Sequence, residues 1–118
     1  MNRRAFGTEG ETAACEYLSR RGWRILDRNA RIGRGEIDII AQKRRVIAFI
    51  EVKRRTTNQF GTPAEAVNAA KQRKIITAAA LYMQQNNLQN ANVRFDVIEL
   101  TPDRINHIQN AFDATDLY

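Results

Sequence analysis

Glu36-Ile-Asp38 and Glu51-Val-Lys53 are the stretches of this chain whose residue types and spacing point most directly to chemistry. In an extended strand, successive side chains point to opposite faces. Glu36 and Asp38 then share one face with Ile37 and Ile39 on the other, and Glu51 and Lys53 share a face with Val52 opposite. The polar segment Gln42 to Arg45 between the stretches is a short turn, which makes them antiparallel neighbours. Asp38 and Glu51 can therefore stand side by side. Two carboxylates beside a lysine can hold Mg²⁺, which prefers carboxylate and water oxygens and keeps several of its waters. The lysine would orient or deprotonate one water for attack on phosphorus, and the metal would offset charge building on the phosphate oxygens. The same spacing also fits a cross-strand salt bridge from Lys53 to Asp38 or Glu51.

Such a pair is useful only if regular elements hold it. Val46 to Lys53 is almost continuously apolar until its end, the pattern of a strand covered on both faces and central in its sheet. Glu36 to Ala41 is the strand before it, and Trp23 to Asp27 a first strand, with residues 29–35 a loop or hairpin turn broken by Gly33 and Gly35. Thr8-Glu9-Gly10-Glu11 has the form of a capping box opening a helix to about Arg21, with Gly22 as its stop. Thr62-Pro63-Ala64-Glu65 repeats that form with proline at the first helical position, and predicts a helix to about Gln85. Its buried stripe is expected from Val67, Ala70, Ile75, Ala78, Leu81 and Tyr82. Val93 to Leu100 alternates with period two, a strand with one wet face, and Ile105 to Phe112 is a last short strand. The order is α-β-β-β-α-β-β: an α/β fold with a central mixed sheet of about five strands flanked by helices.

Composition narrows the chemistry. The 118 residues make one domain, 1–118, able to form a core without disulfides. One cysteine, Cys15, and one histidine, His107, exclude an intramolecular disulfide and the Cys/His-rich zinc motifs. Cys15, after two alanines, reads as a small core residue, and His107 as structural. No apolar run reaches the ~20 residues of a membrane span, and no secretory leader is visible, so a soluble cytoplasmic protein without a membrane partner is expected. The net charge is +6, and it is lopsided: residues 1–55 carry 14 basic and 7 acidic side chains. Fifteen of the 19 bases are arginine, the side chain that grips phosphate with a planar fork. A polyanionic partner such as nucleic acid fits that surplus, as does a merely solvated basic face. Arg54 and Arg55 after Lys53 fit phosphate contact at the mouth of the site or a solvated pair; Arg31 and Arg34 flank a glycine loop that fits DNA contact or a solvated hairpin; Lys71, Gln72 and Lys74, early in the second helix, fit an approach to the site or an exposed helical face. Gly33-Arg34-Gly35 is not a P-loop, because the Gly-Lys-Ser/Thr ending is missing.

Read as a series, the blocks Gly7-X-X-Gly10-Glu11-X-X-Ala14, Gly22-Trp23, Asn29-X-Arg31, Gly35-Glu36-Ile37-Asp38-Ile39-Ile40-Ala41, Phe49-Ile50-Glu51-Val52-Lys53-X-Arg55, Phe60-Gly61-X-Pro63, Lys71-Gln72-Arg73, Arg94-Phe95-Asp96-Val97 and Asn110-Ala111-Phe112 resemble the YraN-like family of bacterial proteins. That family lies within the PD-(D/E)xK, or restriction-endonuclease-like, superfamily and is related in fold to archaeal Holliday-junction resolvases. The resemblance implies a Mg²⁺- or Mn²⁺-dependent endonuclease acting on DNA, including branched DNA, and a homodimer if it cuts symmetric junctions. It implies that Asp38 and Glu51 are metal ligands, that Lys53 is the motif lysine, and that Glu11 matches the helical glutamate joining the metal in the resolvases. Ile37 stands where the motif has its namesake proline. A rival from another class is a non-catalytic nucleic-acid-binding or complex-assembly protein that retains the fold.

Overall fold

The computed structural model describes residues 3–57 and 67–113, with side chains from residue 9 onward. The element order is α1 (Arg3–Arg20), β1 (Arg24–Ile32), β2 (Gly35–Lys43), β3 (Val46–Arg54), α2 (Ala69–Gln85), β4 (Asn92–Leu100) and β5 (Ile105–Phe112). The strands form one sheet in the order β1-β2-β3-β4-β5, so β3 is central as its apolar run requires. Among the described strands only β3 and β4 pair in parallel, across the connection that contains α2; the other neighbours are antiparallel. Two hydrophobic cores cover the two faces. Ala14, Cys15 and Leu18 of α1 pack with Trp23, Ile39, Ala48, Ile50 and Ile98. Ile75, Ala79 and Met83 of α2 pack with Ile37, Ile40, Phe49, Phe95 and Val97.

Several expectations shift. The first helix already begins at Arg3, so Thr8–Glu11 lies inside it and not at its cap. It ends as its glycine requires: Gly22 takes φ 88°, with Trp23 N–H donating to the Leu18 carbonyl (3.0 Å) and Gly22 N–H to Ser19 (3.1 Å). Of the loop or hairpin turn expected at 29–35, the hairpin turn is present but short: Gly33-Arg34 makes it, and residues 29–32 belong to β1, with Ala30 and Ile32 buried against the α2 side. The proposed start of the second helix at Thr62–Glu65 lies outside the described residues. Val67 and Asn68 are not helical, and the helix ending at Gln85 starts at Ala69, capped by the Asn68 side chain, which accepts from Lys71 N–H at 2.9 Å. Its buried residues are Ile75, Ile76, Ala78, Ala79 and Met83, while Ala70 is exposed.

β4 has no wet face: every residue from Phe95 to Leu100 is buried, because β5 flanks it and helices cover both sides. Its acids are consequently paired. Asp96 accepts from Arg94 Nε and Nη2 (2.9 Å each), His107 Nε2 (2.7 Å) and Asn110 N–H (2.9 Å). Burial pushes the Asp96 carboxyl up, but these hydrogen bonds outweigh it and hold it below the ordinary carboxylate range. Tyr17 Oη stands 3.3 Å from His107 Nδ1, and Arg94 lies over the buried Trp23 ring at 5.0 Å. His107 is thus structural, as expected. Cys15 is a core residue whose thiol is pushed up by burial.

Candidate functional site

The regular alternation that should place Asp38 breaks at Asp38 itself. Arg28 and Ile39 pair across β1 and β2 and face α1: Ile39 is in the α1-side core and Arg28 Nη2 donates to Thr12 (3.1 Å). The next recorded pair, Ala30 and Ile37, faces α2. In a regular strand, residues two apart share a face. Here Asn29, with φ 51°, and Asp38 lie out of alternation at the same height. Ile37 and Ile39 are therefore on opposite faces, not on one face as the plain pattern predicts. Pairing of β2 with β3 also stops at Ile39–Ile50, and beyond it the Asp38 carboxylate accepts the Val52 N–H at 2.8 Å. The splay opens a cavity of about 380 Å³ on the α2 side.

Asp38, Glu51, Glu36, Arg34, Lys71 and Lys74 line this cavity, closed by Asn68 and Ala70 at the start of α2. Glu51 comes from β3, where strict alternation keeps Phe49 and Glu51 on the α2 side and Val52 against the α1 side. Its side chain is only 8% exposed, and Lys71 Nζ donates to it. Lys71 occupies the first turn of α2, where the helix dipole disfavours a cation by roughly 0.3–1 kcal/mol. Glu51 compensates: burial pulls the Lys71 ammonium down, but the hydrogen bond and the charges of Glu51, Asp38 and Glu36 win and hold it above the ordinary lysine value. Burial, with the charge of Glu51 next, pushes the Asp38 carboxyl up to about 7, against the Val52 N–H and Lys71.

The structure thus joins Asp38, Glu51, Lys71 and Arg34. Lys53 lies one pleat beyond Glu51 on β3, past the cavity lining. Glu11 is held by Asn29 Nδ2 at 2.7 Å and approaches Arg28 at 4.0 Å, and is not in the lining. Among the described residues, no three His, Cys, Asp or Glu side chains form a metal-holding group. Arg31 is an exposed β1 residue beside Glu36. Arg54 packs on Gly10 of α1, so it sits on the far face and not at the mouth. Arg55 is turned to Glu99, a fully buried acid, at 3.2 Å. Gln72 donates its amide to the Val67 carbonyl at 2.9 Å and so braces the start of α2. Lys74, which also lines the cavity, stands three residues beyond Lys71, a spacing that puts both on one side of a helix.

Gly35 forms the neck between the hairpin and α2. A Cβ there would meet Ala78 Cβ at 3.0 Å and the Lys74 carbonyl at 3.1 Å. Gly35→Ala is expected to cost about 1–3 kcal/mol by overpacking. Urea unfolding checks this; a variant as stable as the wild type would mean the hairpin separates from α2 without penalty.

No helix among the described residues is long and apolar enough to cross a membrane. Residues 10–100 match the pattern described as "Uncharacterised protein family UPF0102". The UPF0102 protein of Clostridioides difficile is 49% identical over 114 residues, covering 95% of this chain and all of that protein. The one from Symbiobacterium thermophilum is 47% identical over 119 residues, covering 97% of this chain and 100% of the relative. That of Caldanaerobacter subterraneus is 43% identical, with 95% and 98% covered. With the match spanning most of the chain and its relatives alike, this protein belongs to the UPF0102, or YraN-like, family.

Proposed function

We propose that this protein is a metal-dependent nuclease that hydrolyses DNA phosphodiesters. The observation that carries the reading is the convergence of Asp38 and Glu51, with Glu36 also in the lining, in an open cavity whose cations are Arg34, Lys71 and Lys74. Burial first, and the charge of Glu51 second, raise the Asp38 carboxyl to about 7, so ionising both acids of the pair is costly. The donor set suits Mg²⁺ or Mn²⁺: two hard carboxylate oxygens from different strands, in a cavity large enough to leave waters on the ion. Once bound, the ion supplies charge stabilisation at the phosphate oxygens. Asp38 and Glu51 would hold it. Lys71, which lines the cavity beside them, would then contact the phosphate or the attacking water; we assign this role to Lys71 in preference to Lys53. Arg34 and Lys74 hold the backbone on either side. Linear, splayed and four-way DNA incubated with Mg²⁺ or Mn²⁺ provide the test. Cleavage that disappears in Glu51→Gln supports the reading; a wild type that cuts none of them sinks it.

The pairing of Lys71 with Glu51 favours one second reading, a nucleic-acid-binding protein that keeps the fold and fills the metal position with an ammonium. Both readings predict steep salt dependence. With about five phosphates neutralised, log K should fall against log salt with a slope of about −4 to −5 on duplex DNA. A flat titration in fluorescence anisotropy would remove both.

A further inference from the structure

A second recess of about 210 Å³ adjoins the acidic cavity and shares Arg34, Gly35 and Lys74 with it. Its character is different. Ile32, Ala78 and Leu81 make an aliphatic surface, and among the described residues no carboxylate lines it. Gly33 (φ 58°) and Gly35 bring the hairpin tight against α2 here, with a Cβ at Gly33 meeting Leu81 at 3.4 Å. Three cations, Arg34, Arg73 and Lys74, rim the recess. An apolar recess with a cationic rim, adjoining the carboxylate cavity, complements a ligand that is apolar at one end and anionic at the other.

We propose that this recess receives the base of an unpaired nucleotide, with its phosphate held between Arg34 and Lys74 and the neighbouring phosphodiester at Asp38 and Glu51. The inference rests on the nucleic-acid reading above and adds to it the substrate class: a strand with at least one unpaired nucleotide beside the reactive phosphate. A base stacked and paired inside a duplex cannot enter without being extruded, which costs a few kcal/mol. An already unpaired base avoids that cost, so the recess discriminates by strand structure and not by sequence.

Thr77 allows the test, because it is exposed and lines the recess without belonging to either core. Binding is measured by anisotropy in EDTA, so that no cleavage intervenes, with a blunt duplex and with the same duplex carrying a short overhang containing 2-aminopurine. The wild type should bind the overhang about tenfold more tightly, a difference of about 1.4 kcal/mol, and the 2-aminopurine emission should change on binding. Thr77→Leu and Thr77→Met fill the slot; both should lose the preference while binding blunt duplex as before. Equal wild-type affinity for the two DNAs, or a preference that survives both variants, overturns the inference. Cleavage with Mn²⁺ is scored separately. Cutting without a strand preference removes the recess and keeps the nuclease. A Thr77-dependent preference without cutting keeps the recess as a binding site and removes the nuclease. No binding to either DNA removes both.

Discussion

Asp38→Asn should make the metal-free protein more stable at pH 8 while abolishing cleavage. The Asp38 carboxyl is pushed to about 7 in the fold by burial and the adjacent Glu51, whereas in the unfolded chain it titrates near ~3.9. A pKa raised on folding means that the native state binds the proton more tightly. Its stabilising contribution is complete below about pH 4 and is lost as pH rises through about 7. The full span of that loss is of the order of 4 kcal/mol at most, and a partly solvated group realises less. Asparagine keeps an oxygen for the Val52 N–H, now at 2.8 Å from the carboxylate, and removes the charge that Glu51 opposes. The wild type should therefore lose thermal stability from pH 5 to pH 8 in EDTA, and Asp38→Asn should not. Mn²⁺ should restore the wild type at pH 8 and leave the variant unchanged. Calorimetry across pH, with and without Mn²⁺, reads all of this. If wild-type stability is flat from pH 5 to 8 in EDTA and unmoved by metal, the carboxylates do not form the strained pair described.

Lys71→Ala should cost about 100-fold or more in cleavage, in the range of a lost acid–base or charge-stabilising group. Lys53→Ala should cost less than about tenfold. Lys71 contacts Glu51 and lines the cavity, and Lys53 lies past it. Lys71→Ala also leaves Glu51, 8% exposed, without its counter-ion; because the Lys71 side chain is half solvated, about 1–2 kcal/mol of stability is at stake. Saturating Mn²⁺ should return most of that stability but none of the activity, which separates a chemical role from a structural one. The opposite ranking of the two variants in single-turnover cleavage would return the role to Lys53.

Much of the arrangement is written locally. Val46 to Ile50 is an unbroken apolar run, so β3 is buried on both faces, and that composition places it at the centre of the sheet. Period-two spacing puts Glu51 and Lys53 on one side of β3, and the structure keeps Glu51 there because no irregularity interrupts the strand. The ordered blocks from Gly10 to Val97 carry the family, and the lone Cys15 and His107 rule out whole classes of metal site.

Other features depend on residues far apart in the chain. Asn29 and Asp38 leave alternation together because two strands share one irregularity, which neither strand's pattern reveals. Asp96 and Glu99 are charged residues of a strand expected to have one wet face, and three apart they fall on opposite faces of β4; both are fully buried, since Arg94, His107 and Arg55 are close enough to neutralise and hydrogen-bond them. Lys71 looks like one more base on an exposed helix until the Asn68 cap fixes the first turn of α2 over Glu51. Residue types and periodicity determine which strands and helices form and which side chains are available for chemistry. The lysine that meets the carboxylates, and the acids that are spent on internal pairing, are decided by packing, because charge neutralisation in a core acts through distance in space and carries no local periodicity.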